Sequence, residues 1–177
     1  MDEKLKLAAD KIEIADVVYK YCRAIDRMDR ELLESVFHKD SVHHHGEYEG
    51  PSTDFCNFAF DILAEMEFTQ HLVGNLLIEI DGDTAWSEAY WTAFHRIAKG
   101  KESDMGFLAE HDSSIDEDVF VSGRYIDRFE RRNGEWKIAK RQGVHDWVRF
   151  EPANEKGQLE AAGPTASRSR QDPAYQR

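Results

Sequence analysis

Long apolar runs, glycine-rich phosphate loops and an excess of positive charge are all missing from this chain of 177 residues. No stretch approaches the roughly 20 apolar residues that span a bilayer, so a membrane role is not expected. Neither GxGxxG nor GxxxxGKS/T occurs, which removes support for nucleotide-dependent chemistry, and no GxSxG elbow suggests a serine hydrolase. Lys plus Arg number 23 against 35 Asp plus Glu, a net charge of −12. Such a chain repels phosphate backbones and anionic lipid, so nucleic acid is not an expected partner. The two cysteines, Cys22 and Cys56, are too far apart for a CxxC motif. Reduced core thiols are expected of them. The opening MDEKLKLAADK carries no apolar leader, so the expected location is cytoplasmic.

Hydrophobic residues make up 41% and aromatics 11%, enough for a globular body with a pocket. Between Asp10 and Met28, Ile14, Val17, Val18, Tyr21, Cys22 and Ile25 repeat with helical spacing, and neither Pro nor Gly interrupts them. Asp29 can cap a second helix over Arg30 to Phe37. Ser41 to Tyr48 reads as a short extended segment. After Gly50-Pro51, Ser52, Thr53 or Asp54 can cap a third helix carrying Phe55, Phe58, Ala59, Ile62, Leu63 and Met66.

The pattern then changes to strands. Gln70 to Asp81 and Thr84 to Ala98 flank the turn signal Asp81-Gly82-Asp83, and Val119 to Arg131 and Glu135 to Trp147 flank Asn133-Gly134. Lys99 to Asp118 reads as a long loop. Helices first and antiparallel strands after predict an α+β fold, residues 1–150, in which helices pack on the concave face of a curved sheet. The concave space is where a small-molecule site is expected. Residues 151–177 read as a tail, disordered alone or ordered against a partner subunit.

Among groups that carry chemistry, Asp26 ends the first helix, where the macrodipole does not favour a carboxylate. His71 stands at the head of a strand. Joined, the two would form a dyad in which Asp26 fixes the imidazole tautomer and raises its basicity. Apart, Asp26 would close a salt bridge with Arg23 or Arg30, and His71 would be a surface histidine. Tyr21 and Tyr19 precede Asp26 on the same helix; either hydroxyl can polarise an oxygen or pack in the core. The hairpin brings His95 onto the strand next to His71. Arg124 is a candidate anchor for an anion, and Trp147 for lining the cavity or an interface. His43 and His45 share one strand face and His44 takes the other, but no HxxxH or matching carboxylate spacing supports a metal, and none is expected. His145 and Asp146 are strand neighbours facing opposite sides and cannot form a dyad with each other.

The helix ending Tyr21-Cys22-Arg23-Ala24-Ile25-Asp26, the stretches Phe37 to Val42 and His71 to Asn75, and the closing hairpin Gly123 to Arg131 with Gly134 to Ile138 resemble a known family. Together they are similar to the SnoaL-like branch of the nuclear transport factor 2-like superfamily, over about residues 8 to 148. Within it the chain resembles scytalone dehydratase, bile acid 7-alpha-dehydratase and lindane dehydrochlorinase, which pair an Asp from the first helix with a His from a strand. The resemblance implies a cone-shaped barrel and a cofactor-independent lyase acting on a small hydrophobic, cyclic or steroid-like substrate. It implies catalytic roles for Asp26, His71, Tyr21 and His95, and substrate contacts from Arg124. Lys20 lies near a lysine of the dehydrochlorinase, one position out of register. The superfamily also holds isomerases and non-catalytic subunits such as the small subunit of aromatic-ring dioxygenases, so fold alone does not choose a function. A homo-oligomer is expected, a trimer before a dimer, because strand aromatics Trp86, Tyr90, Trp91 and Trp147 need covering.

Overall fold

A computed structural model describes residues 2–102, 109–154 and 166–176. Helix α1 spans Glu3–Asp26, longer at its start than the apolar periodicity, with the Asp2 carboxylate accepting from Lys4 N–H at its N-terminus. Helix α2 (Arg30–Ser35) begins under the Asp29 carboxylate, which accepts from Leu32 N–H as its sequence position predicts. The backbone at Met28 adopts a left-handed φ of 53°, turning the chain between the two helices. Helix α3 (Ser52–Ala64) differs from expectation: Pro51 occupies its N-cap, and no side chain caps it.

Six strands follow as one mixed sheet in the order β2-β1-β6-β5-β4-β3. They are β1 (Phe37–His45), β2 (Tyr48–Pro51), β3 (Met66–Asp81), β4 (Thr84–Ile97), β5 (Glu117–Arg132) and β6 (Glu135–Pro152). The sheet is open, and three helices pack on it; this is the α+β cone. All pairs are antiparallel except β1 with β6. Both sequence-read hairpins form: Asp81 pairs with Thr84, and Arg132 with Glu135. Gly82 at φ 60°, Asn133 at 55° and Gly134 at 84° supply the left-handed residues these tight turns need. The strands extend further than their apolar patterns, because β3 starts at Met66 and β6 continues to Pro152. Met66 at the start of β3 is itself a core residue, and Phe150 near the end of β6 packs against the core. Part of the expected loop, residues 103–108, lies outside the described residues.

Period-two alternation sorts the side chains. On β4, Ala85, Ala89, Trp91 and Ala93 are buried, while Trp86 and Tyr90 are about half exposed on the other face. The inner face carries α1, which meets β3 and β6, and α3, which meets β1, β2 and β3. At the centre of this core lies an ion pair. Arg141 and Asp127 are bonded through two parallel N–H···O contacts of 2.6 and 2.7 Å with both side chains fully buried. The guanidinium stacks under the rings of Tyr21 (3.9 Å) and Tyr125 (4.2 Å).

The tail departs from its reading. Residues 166–176 lie on the chain's own α1–α2 corner, while 155–165 are outside the described residues. Arg168 donates to the carbonyls of Leu63 and Met66, Arg170 pairs with Asp29 (3.1 Å), and the Tyr175 hydroxyl donates to Asp29 (2.7 Å). No described helix is long and apolar enough to cross a membrane.

Removing one partner of the buried pair strands the other charge in the core. Asp127→Ala is expected to lower unfolding free energy by about 3–5 kcal/mol, measured by urea denaturation. An Asp127→Leu/Arg141→Met double variant is expected to recover most of that loss.

Candidate active site

Helix α1 presents two adjacent stripes. Tyr21 and Ile25 face a cavity of about 420 Å³ between the helices and the sheet. Tyr19, Cys22, Arg23, Asp26 and Arg27 face a second hollow of about 330 Å³ on its other flank. His71, from β3, lines both. It therefore stands on the wall of the larger cavity with Asp26 behind it.

Asp26 is buried (7% exposed) at the last position of α1. Its location at a helix C-terminus is electrostatically unfavourable, and two hydrogen bonds from one residue compensate. Asp26 Oδ2 accepts from the His71 backbone N–H (2.9 Å), and Oδ1 lies 2.8 Å from His71 Nδ1. A carboxylate accepts only, so Nδ1 carries the proton and Nε2 of the neutral ring is left with its lone pair. Backbone and side chain of His71 are thus fixed by one carboxylate. The salt bridges to Arg23 or Arg30 considered for Asp26 do not form: Arg23 donates to the Ala174 carbonyl, and Arg30 turns to Asn57 and Glu34.

The other sequence candidates divide. Tyr21 lines the cavity beside Tyr125 (ring centroids 5.4 Å), and burial pushes its phenol far above the ordinary tyrosine range. Tyr21 can donate a hydrogen bond there but does not ionise readily. His95 is packed edge-on to His71 at 5.4 Å, behind it and away from the cavity wall. Burial, with the positive charge of Arg168, holds it well below 6.5. Trp147 stands half exposed on the cavity wall.

Two candidates stand elsewhere. Tyr19 is 53% exposed and faces the second hollow, because two residues along a helix turn it about 200° from Tyr21. Arg124 lies on the outer sheet face, 3.3 Å from Glu88, so alternation removes it from the cavity wall. Lys20 is spent on Asp16 (2.9 Å) at the exposed side of α1. Both cysteines are free and buried; burial pushes the Cys22 thiol up to about 12 and Cys56 to about 11.

The strand rule holds for the histidine triplet: His43 and His45 turn inward and His44 outward. His43 is stacked on Phe55 at 3.4 Å with neither ring nitrogen hydrogen-bonded. His45 joins the cavity wall, where its Nε2 meets His145 Nε2 at 3.2 Å. Sequence reading did not pair these two, since they are 100 residues apart and meet only through the parallel β1–β6 contact. Nor did it single out Trp91, Tyr125 and Phe55 as wall residues, though they are the inward members of their alternating or helical patterns. Among the described residues no group of three or more His, Cys, Asp or Glu has metal-holding geometry.

A largely apolar chamber, with an imidazole held by a carboxylate on its wall, is set in an open-cone α+β fold. The family comparison agrees with that architecture: residues 7–142 match the SnoaL-like domain model, and the chain belongs to the SnoaL-like family. Solved structures share the fold. A type 2 hexachlorocyclohexane dehydrochlorinase superposes with a TM-score of 0.71 at 19% identity, covering 88% of this chain and 98% of that one. A type 3 form from Novosphingobium barchaimii gives 0.66 at 20% identity, covering 85% and 94%. A scytalone dehydratase-like protein from Novosphingobium aromaticivorans gives 0.65 at 18% identity, covering 85% and 95%. The sequence matches none of the curated proteins with which it was compared.

The buried histidines make stability depend on pH. Burial holds His43, His45 and His95 well below 6.5 in the fold, whereas an unfolded chain titrates them near 6.5. Between those values the unfolded state binds more protons, so stability is full above about 6.5 and falls as pH drops. Urea midpoints are expected to decline from pH 7.5 to 5.5. His43→Phe is expected to reduce that slope by about one proton, about 1.4 kcal/mol per pH unit.

Proposed function

We propose that this chain is a cofactor-independent lyase of the dehydratase type, acting on a small hydrophobic, cyclic substrate. The observation that carries the proposal is the 2.8 Å contact of Asp26 with His71 Nδ1, on a ring that lines a largely apolar cavity. His71 Nε2 takes a proton from the carbon adjacent to the carbon bearing the hydroxyl. The C–H electrons form the double bond, and the C–O bond breaks. The departing oxygen takes that proton back from the His71 imidazolium and leaves as water. The imidazolium formed on His71 is stabilised by the Asp26 carboxylate, and a Tyr21 hydrogen bond to the substrate oxygen lowers the developing charge. His95, packed behind His71, contributes by holding the ring rather than by touching substrate. The fold relatives include dehydrochlorinases, whose eliminations suit the same arrangement. An unfilled cavity with Asp26 hydrogen-bonded to His71 on its wall supports an enzyme over a non-catalytic ligand-binding or scaffolding subunit.

On a cyclic β-hydroxy ketone of this size, His71→Ala and Asp26→Asn are each expected to lower kcat by about 10²–10⁴ with the fold intact by circular dichroism. Unchanged turnover in both variants would sink the mechanism. Release of water distinguishes elimination from isomerisation by the same base.

We also propose a homo-oligomer, a trimer before a dimer. Leu72, Leu77, Trp86 and Tyr90 lie exposed along the outer faces of β3 and β4, an apolar surface of the kind that subunits cover. Light scattering at micromolar concentration is expected to give a multiple of the 20.5 kDa chain mass.

A further inference from the structure

The cavity has a second polar station. His45 on β1 and His145 on β6 sit across Trp91 from the dyad: the Trp91 ring is 6.4 Å from His71, 5.5 Å from His145 and 6.1 Å from His45. Three strand intervals separate β3 from β6, about 14 Å along the curved sheet at the usual strand spacing. The wall between these ends is apolar, from Ile25, Phe58, Leu63, Met66, Trp91 and Val121.

The two imidazoles have a defined hydrogen-bond polarity. His45 Nδ1 is buried without a partner and lies against the backbone of Gly143, where a Cβ would stand only 2.3 Å away. An imidazole N–H left there would have no acceptor, and orphaned buried N–H groups are rarer than under-satisfied acceptors. The proton is therefore on His45 Nε2, which donates to His145 Nε2 at 3.2 Å. His145 Nε2 must then be the lone pair, and His145 Nδ1 carries an N–H. Burial lowers both rings from their ordinary values, which keeps the pair neutral. Glu47 and Asp146 also line this part of the wall and disfavour a negatively charged ligand.

We infer that His145, set by His45, is a substrate-binding subsite that donates its Nδ1–H to a neutral oxygen, a ketone or hydroxyl, at the end of the substrate remote from His71. The inference rests on the proposed function for the use of the cavity and adds a substrate class: an apolar ring body bearing a neutral oxygen acceptor opposite the bond that breaks. A hydrocarbon alone would leave the station empty, and a carboxylate would be repelled.

Binding of 2-decalone, a bicyclic ketone, tests this without turnover. Affinity is read by calorimetry, and the ketone stretching band by infrared difference spectroscopy. In the unaltered protein the band is expected to move to lower frequency on binding. In His145→Phe the band is expected to stay at its position in an apolar solvent. The affinity should fall there by about 2- to 12-fold, the range of one neutral hydrogen bond. His145→Leu is the second variant, and thermal unfolding checks that each folds. Asp26→Asn is expected to leave both readouts unchanged. The subsite is overturned if the His145 variants bind the ketone with unaltered affinity and band, if the band shift vanishes only in Asp26→Asn, or if the unaltered protein shows no saturable binding. Failure of the elimination mechanism would appear instead as unchanged turnover in the dyad variants.

Discussion

A guanidinium with no access to water holds the middle of this molecule together. Arg141 on β6 is fastened to Asp127 on β5 and lies beneath the rings of Tyr21 and Tyr125. Burial alone would drive Arg141 toward its neutral form, and the Asp127 carboxylate outweighs that effect. The geometry spreads outward from there. Tyr21 rests on the cation, so α1 is set in depth and rotation against the sheet. Asp26, five residues further on and little more than one helical turn away, is thereby carried to the backbone of β3. A buried ion pair is a poor source of net stability; its use here is positional.

The cavity shows the same economy of placement. One carboxylate, Asp26, takes both the backbone N–H and the ring N–H of His71. The imidazole therefore cannot rotate without losing its ring bond to a buried carboxylate. Glycine serves the opposite end. Gly143 leaves room for the His45 ring, and a side chain at Gly123 would strike the Val144 carbonyl and Trp91. Both glycines are on adjacent strands, where the sheet gives up side-chain volume to the His45 ring at Gly143 and to the Trp91 ring and the β6 backbone at Gly123.

Much of the fold was legible because it rests on local signals. Asp81-Gly82-Asp83 and Asn133-Gly134 demand tight turns, Asp29 caps α2, and the α1 stripe runs unbroken to Ile25. Asp26 and His71 stood out as a residue out of place at a helix end and a polar group at a strand head, with the family resemblance to join them. What stayed hidden depends on geometry that one-dimensional spacing does not carry. The irregularity between Arg128 and Phe129 shifts β5 against β6, so the registers of Arg124 and His145 could not be counted from the turn. Tyr19 looked equivalent to Tyr21, yet helical rotation sends the two to different hollows. The charged tail offered no apolar pattern because it docks through arginine, tyrosine and carboxylate contacts.

That docking sets an order of events for the growing chain. Met28 and Asp29 are held by Arg168 and Tyr175, partners 140 and 146 residues later. As the polypeptide is synthesised, α1 emerges early, yet the corner beside Asp26 stays open until nearly all the remaining residues have followed. Loop closure over such a separation is slow and is favourable only once the intervening sheet has brought the ends together. The sheet and hairpins can thus assemble around an unfinished helix end, and the geometry behind His71 is completed last.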